Sequence, residues 1–535
     1  MSEEGGGNAG KKAILKRSSG VAIATFLSRI LGLLRVRLEA TVLGGGEVAS
    51  GWFLAFAIPN LLRRVLGEGA LSTALIPLIA EGEQTGGKEK VKRQLAVVFA
   101  YLGITLAVIV LVVSLFSRYA ARHAHEWEWE FFRNEHIGLM FQLLPWLMPY
   151  GFFICLVGII GAVVNYAGVF VRPALAALIL NVVLLLVLGG SLYWSLPEAR
   201  FLPVLALSVP VAGVLQLLLM LILLWQVGLF PDFLRGWQER GIWKKLFELA
   251  LPGVLGYAAL QVSFIIDRSM AASLGGQAVP ALTYVDRIVD IPIGIVAVSL
   301  NGVLMAMMSR SAAEGKLDEI ADTLAYGLRI VWFATLPLAA MVVFFHTNML
   351  QILCLGGKYT VSDLHSAHYV AIFYGLGIPF FCSLKIILPA FYSRKKMKTV
   401  FIVSITATFA NIALNYILMQ FLAQGGIALA TVLASLINNG VLLWLLKRAK
   451  MTAKGFEVAL SFLRSAAVSF GAAGACFMVY RKFFESWASL RWQNALIVLV
   501  AVGVVFMGIY FVLSLVCRSP ECREIIGVVR RRRSR

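Results

Sequence analysis

Apolar runs of about 20 residues recur from one end of this 535-residue chain to the other. At 1.5 Å of rise per residue, a helical run of that length crosses the roughly 30 Å hydrocarbon core of a bilayer. Inside that core only helices and closed barrels satisfy their backbone polar groups. A barrel would show short alternating segments, whereas these runs are long and continuous. The composition agrees: 60% of the residues are hydrophobic and 14% are charged, against about a quarter charged in a soluble protein. The expected fold class is therefore an all-α polytopic membrane protein.

Fourteen spans are expected, near residues 21–43, 51–80, 94–117, 138–164, 173–195, 201–228, 247–275, 281–308, 323–346, 367–392, 399–421, 425–447, 457–480 and 492–516. The loops assigned to the inside carry Lys88, Lys90, Lys92 and Arg93; Arg235, Arg240, Lys244 and Lys245; Arg310 and Lys316; Arg394, Lys395, Lys396 and Lys398; and Lys447, Arg448, Lys450 and Lys454. The loops assigned to the outside are poorer in net positive charge, as in the acidic stretch around Glu126. An even number of spans puts both basic termini inside, as the positive-inside rule requires; Arg481, Lys482 and Arg491 are the exception. Residues 1–20 read as a basic cytoplasmic lead-in and 518–535 as a basic cytoplasmic tail. The net charge of +20 follows from the same rule, and a nucleic-acid partner is not expected. The stretch 229–250 mixes Phe and Trp with basic residues and is expected to form an interfacial amphipathic helix, with 229–246 as the linker between two halves.

The halves are related. "PNLL" at Pro59 and "AEG" at Ala80 recur, at the same interval, as "PIGI" at Pro292 and "AEG" at Ala313. A Gly-rich turn precedes each copy, Gly44–Gly46 and Gly275–Gly276. The sequence therefore predicts two pseudo-symmetric six-helix lobes in the same orientation, 21–228 and 247–447, with a helix pair over 448–517 outside the repeat. Parallel repeats commonly bind their substrate at the interface between them.

Among the arginines within predicted spans, Arg29, Arg35, Arg63 and Arg287, drawn from both halves, are the candidates to face a cavity. A charge at the bilayer centre costs about 2.5–3.5 kcal/mol on insertion scales, so such residues face a cavity or a partner. Adjacent helical residues point about 100° apart, so Arg63 and Arg64 cannot share a direction. Glu68 lies one turn beyond Arg64 and is its expected partner, leaving Arg63 to face the cavity; Glu39 is similarly placed to neutralise Arg35. Guanidinium groups suit a phosphate or diphosphate, because the planar fork binds oxyanions bidentately and stays charged. An exporter of cationic drugs would want carboxylates there instead. The acids Asp267, Asp286 and Asp290 are expected to be buried. Asp286 and Asp290 read as local charge balance for Arg287. Asp267 either pairs with Arg268 or joins Asn411, Asn415 and Thr431 in a cation-coupling site. The histidine pairs at 123–125 and 365–368 lack the partners of a metal site, and no nucleophile–base pair indicates an enzyme. Six scattered cysteines imply no disulfide framework.

"LSRILGLLR" (27–35), "PNLLRRVLGEGALSTALIP" (59–77), "YVDRIVDIPIG" (284–294) and "PAFYSRKKMKT" (389–399) resemble the lipid II flippase family, MurJ or MviN, of the multidrug/oligosaccharidyl-lipid/polysaccharide exporter superfamily. The resemblance covers essentially all fourteen helices. It implies a monomeric inner-membrane protein that moves lipid II, the undecaprenyl-diphosphate-linked peptidoglycan precursor, across the bacterial cytoplasmic membrane by alternating access. Neither enzymatic activity nor a cofactor is implied. The family's functional arginines match Arg29, Arg35, Arg63 and Arg287, with Ser28, Asn60, Glu68, Asp286, Asp290 and Lys385 in support. Its sodium site matches Asp267, Asn411 and Thr431, while Asn415 stands in place of an acid and Ser50 where some members carry one. Coupling to Na+ or to membrane potential is implied, as is a lipid-tail groove on helices 13 and 14. Rival readings are a flippase for another polyprenyl-diphosphate-linked saccharide, a drug exporter, a membrane scaffold and a membrane glycosyltransferase.

Overall fold

A computed structural model describes residues 26–67, 70–123, 126, 130–239, 241–449, 451, 455–488, 491–524 and 527. The lead-in 1–20, Glu68 and most of the final basic stretch lie outside the described residues. Among the described residues the backbone is helical almost throughout, and the extended pairing present is an isolated bridge between Gly356 and Tyr359. The chain divides into two compact units, Met1–Phe264 and Ile265–Arg535.

The first unit holds α1 (26–43), α2 (Glu47–Leu62), α3 (Ala70–His123), α4 (Glu135–Tyr166), α5 (Val171–Tyr193), α6 (Glu198–Gln226) and most of α7 (Gly241–Ala272). The second holds the end of α7, then α8 (Ala278–Pro292), α9 (Val298–Ala313), α10 (Leu317–Leu353), α11 (Val361–Ser366), α12 (His368–Tyr392), α13 (Met397–Leu422), α14 (Gln424–Arg448), α15 (Gly455–Phe483), α16 (Glu485–Ala488) and α17 (Trp492–Val516). Each expected span falls on helix among the described residues. Eleven helices there are long and apolar enough to cross a membrane. Spans 2 and 3 share α3, which breaks at Gly86 and Gly87; Gly87 has φ 61°, a left-handed conformation that glycine adopts without a side-chain clash.

Span 2 is not one regular helix, and neither is span 8. In the first unit a π-helical turn, Arg63–Gly67, follows α2 and its internal Pro59. In the second a π turn, Ile293–Ala297, joins α8 to α9 directly after Pro292. Proline lacks the N–H for the bond to residue i−4, and its ring crowds the preceding turn. A π turn is one way a helix absorbs such a fault, and such turns frequently mark functional sites. The repeat seen in sequence thus has a shared local distortion.

The expected amphipathic helix over 229–250 is corrected. Gly228 adopts φ 73°, the chain then runs without helix to a short 3-10 turn, Gly236–Glu239, and the helix begins only at Gly241. Pro231 and Gly236 disfavour one continuous helix. The segment folds onto α3 instead: Arg93 Nη1 donates to Gln238 Oε1 at 2.7 Å, and Tyr101 stacks on Trp243 at 5.4 Å between ring centroids.

In the first unit α2 packs on α4 through Trp52, Phe56 and Tyr150, with stacked rings at 5.7 and 6.2 Å. In the second, α15 and α17 dock on α10. Asn348 Nδ2 donates to the Tyr480 hydroxyl at 2.8 Å, and Tyr510 Oη donates to the Phe333 carbonyl at 2.8 Å. Large apolar side chains such as Leu186 and Val504 stand exposed on the helix surfaces. That is the surface a lipid solvent requires, because lipid tails are as apolar as leucine.

Candidate functional site

The arginine doublet opens the first π turn. Arg63 is half-buried and Arg64 exposed. Arg63 Nε donates to Asn60 Oδ1 at 3.4 Å, and the Asn60 amide in turn donates to the Phe56 carbonyl at 3.2 Å. Arg64 Nη1 donates to Gln261 Oε1 at 3.3 Å, and its guanidinium lies 5.4 Å from the centre of the Phe264 ring. The two side chains do diverge, as helical geometry demands. The expected partner of Arg64, Glu68, lies outside the described residues, so the contacts seen for Arg64 are with α7.

The π turn is seated by α4. A Cβ on Gly158 would come within 2.3 Å of the Gly67 carbonyl oxygen, and one on Gly67 within 3.3 Å of Cys155 Cα. Glycine at both positions lets the two backbones approach closely. Arg29 is exposed on α1. The Asn181 amide donates to the Ser28 carbonyl at 3.3 Å, tying α1 to α5. Arg35 meets Glu39 at 3.5 Å with both side chains largely buried, as the i, i+4 spacing predicts.

In the second unit the charge pairing follows expectation at Asp290 and departs from it at Asp286. Arg268 binds Asp286, not its neighbour Asp267, and also donates to the Val279 carbonyl at 3.4 Å. Sequence neighbours on a helix diverge by about 100°, so Arg268 reaches α8 while Asp267 faces α13 and α14. Arg287 then pairs with Asp290 at 3.7 Å. Asp290 is exposed rather than buried: its side chain is 64% accessible and that of Arg287 42%.

Asp267 belongs to the cluster proposed for cation coupling. The Asn415 amide donates to Asp267 Oδ1 at 2.6 Å and to Asn411 Oδ1 at 3.3 Å, and Thr431 Oγ1 lies 3.5 Å from Asp267 Oδ2. Asn411 and Asn415 are buried, and Asn415 Oδ1 has no hydrogen-bond partner among the described residues. Asp267 thus hydrogen-bonds to Asn415 and Thr431, while the guanidinium of Arg268 meets Asp286. The Lys385 side chain is exposed, while its carbonyl accepts from Asn301 Nδ2 at 2.8 Å. Ser50, at the start of α2, is fully buried.

Two arrangements were invisible in sequence. Buried His136 at the head of α4 meets Glu47 at the head of α2 at 2.5 Å. Glu521, beyond α17, is wholly buried and takes Arg329 Nε at 2.7 Å, Ser461 Oγ at 2.8 Å, Ser519 Oγ at 2.6 Å and Arg464 Nη2 at 3.4 Å. Burial opposes ionisation of Glu521, but the bonds from Ser519, Arg329 and Ser461 outweigh it and hold the carboxyl down at about 2. This clasp fastens the start of the tail to α10 and α15.

Comparison with known proteins places these geometries in context. Residues 39–510 match the family profile described as "Lipid II flippase MurJ". A "Probable lipid II flippase MurJ" of Vibrio cholerae is 30% identical over 439 residues, covering 81% of this chain and 82% of the relative. A "Lipid II flippase MurJ" of Burkholderia cenocepacia is 28% identical, covering 91% of this chain and 94% of its own length. Among solved structures, "Lipid II flippase MurJ, inward closed conformation" superposes with a TM-score of 0.73 at 23% identity, covering 92% of this chain and 98% of that one. An inward-facing MATE family multidrug transporter superposes with a TM-score of 0.63 at 16% identity, covering 79% and 94%. At these identities the structural likenesses speak for the fold, a multi-pass helical membrane architecture.

Proposed function

The chain belongs to the MurJ family of lipid II flippases, and on that premise we propose that it moves lipid II across the bacterial cytoplasmic membrane. The observation that carries the proposal is the family match from residue 39 to residue 510, which spans both units and both copies of the proline–π element. The basic inner loops support an orientation with both termini cytoplasmic.

The proposed chemistry begins with the diphosphate. Arg29, Arg35, Arg63 and Arg287 supply positive charge for it, the guanidinium fork matching phosphate oxygens two at a time. Asn60 positions Arg63 through its amide oxygen. Ser28, Asp286, Asp290 and Lys385 act in support, and Glu68 would complete the charge set around the doublet. Neutralising the arginines with substrate favours the passage from inward-open to outward-open in an alternating-access cycle. The sugar–peptide head travels in water while the prenyl tail stays in lipid, along α15 and α17. The cationic character of these positions favours a lipid-linked diphosphate over the cationic drugs of an exporter sharing this fold.

For the driving force we propose Na+ coupling through Asp267, Asn411, Asn415 and Thr431. The donor set is all oxygen, as a hard cation prefers. The buried Asn415 Oδ1 lacking a hydrogen-bond partner supports the reading. Replacing external Na+ by K+ should slow wild-type transport and leave an Asp267→Asn variant at the same low rate in both media; equal wild-type rates would refute coupling to Na+.

The proposal as a whole is tested by depleting the protein from cells and measuring how much lipid II becomes accessible on the outer leaflet. Accumulation of inner-leaflet lipid II is expected. Unchanged accessibility, with the protein gone and no second flippase present, would overturn the proposal.

A further inference from the structure

A second arginine pair lies far in sequence from the doublet and was not singled out by any motif. Arg118 and Arg122 are exposed, one helical turn apart, near the end of α3. With Gln142, Pro145 and Trp146 of α4 they line a cavity of about 320 Å³. Among the described residues neither arginine has an ion pair or hydrogen bond. Arg122 sits in the last turn of α3, where it also complements the helix dipole. That role does not account for Arg118, nor for both side chains lining one cavity with an indole.

The surface below the pair suggests an occupant. Ile104, Val108, Leu111 and Leu115 are each more than half exposed. With Arg118 and Arg122 they fall at the i, i+4, i+7 spacing that forms a single helix stripe. The apolar part of the stripe rises roughly 16 Å, the hydrocarbon depth of one leaflet, about half of 30 Å. The arginines follow within the next two turns, at the level of lipid headgroups. Trp146, 48% exposed, lines the same cavity and offers its indole to a lipid beside the arginines. By the charge of the loops this is the outer end of α3, where arginine is otherwise disfavoured. An apolar track one leaflet long, topped by paired guanidinium groups, has the shape and charge of a membrane lipid.

We propose that Arg118 and Arg122, with Gln142 and Trp146, form a site for the phosphate of an anionic phospholipid whose acyl chain lies along the Ile104–Leu115 stripe. The test is native mass spectrometry of the purified full chain, titrated separately with phosphatidylglycerol and phosphatidylcholine. The wild type should retain one phosphatidylglycerol about tenfold more tightly than phosphatidylcholine. Arg118→Gln with Arg122→Gln should abolish that preference while leaving the melting temperature unchanged. If the double variant proves unstable, Trp146→Ala alone should weaken retention by a smaller factor. Equal retention of both lipids by the wild type would overturn the proposal, as would an undiminished preference in the variants. Two competitors separate the sources of phosphate. Displacement of phosphatidylglycerol by 10 mM inorganic phosphate, or by a polyprenyl diphosphate at equimolar concentration, would contradict a phospholipid site; retention against both supports it.

Discussion

The described contacts of the arginines nearest the proline–π element differ between the two units, although the first unit also holds a carboxylate pair, Arg35 with Glu39. In the first, Arg63 and Arg64 engage neutral groups, the amide oxygens of Asn60 and Gln261 and the face of Phe264. In the second, Arg268 and Arg287 engage carboxylates, Asp286 and Asp290. A guanidinium bound to a carboxylate has already been neutralised. In the second unit Arg287 is half-exposed and 3.7 Å from Asp290, a looser pairing than that of buried Arg268 with Asp286.

The largest expected effect on stability therefore lies in the second unit. Arg268→Ala strands the Asp286 carboxylate and should cost about 3–5 kcal/mol, read as a fall in the unfolding midpoint in detergent. Arg268→Met combined with Asp286→Leu should recover most of it, because the pair is replaced by packing. Arg64→Ala should cost under about 1 kcal/mol, as expected for an exposed charge. Equal losses at Arg64 and Arg268 would erase the contrast.

A smaller effect is expected where the first π turn meets α4. Gly158→Ala sets a methyl group 2.3 Å from the Gly67 oxygen, so the turn must shift. A destabilisation of about 1–3 kcal/mol is expected, together with slower transport, since the shifted turn carries Arg63. Full transport by Gly158→Ala would show that the placement of the turn is not critical.

The smallest effect at neutral pH is a pH slope arising from Glu521. Its folded carboxyl sits at about 2, below the ordinary 4.5. A lowered folded value contributes stability that is complete above pH 4.5 and is lost as pH falls from 4.5 through about 2. Midpoints measured across that window should fall for the wild type and be flatter for Glu521→Gln. Parallel slopes would mean that the clasp carries no such linkage.

Much of this architecture was legible in the residues. The spans are local apolar runs, and the repeat shows as two short echoes, so neither needs tertiary information. Pro59 and Pro292 stood out only as parts of the echo, and the distortion beside each, a π turn that in the first unit is seated on Gly158, depends on tertiary packing. The pairing of Arg287 with Asp290 follows from local spacing, whereas that of Arg268 does not. Asp267 and Arg268 are adjacent in sequence yet point toward different helices, so the partner of Arg268 came from α8. Glu47 and His136 meet across 89 residues, and Glu521 is held by residues of α10 and α15. No periodicity reports such contacts. The linker has the amphipathic composition of an interfacial helix, but in the folded chain Pro231 and Gly236 keep it from forming one before Gly241.

The central claim, that Arg63 presents charge to a lipid-linked diphosphate, is tested most directly by reconstitution. Purified protein in vesicles containing fluorescent lipid II should expose the label to an impermeant quencher in the opposite leaflet. Arg63→Ala should reduce that rate by at least about tenfold, the loss of a charge-assisted contact worth roughly 1.5–3 kcal/mol, while the variant inserts and melts like the wild type. Wild-type rates in a folded Arg63→Ala protein would contradict the account.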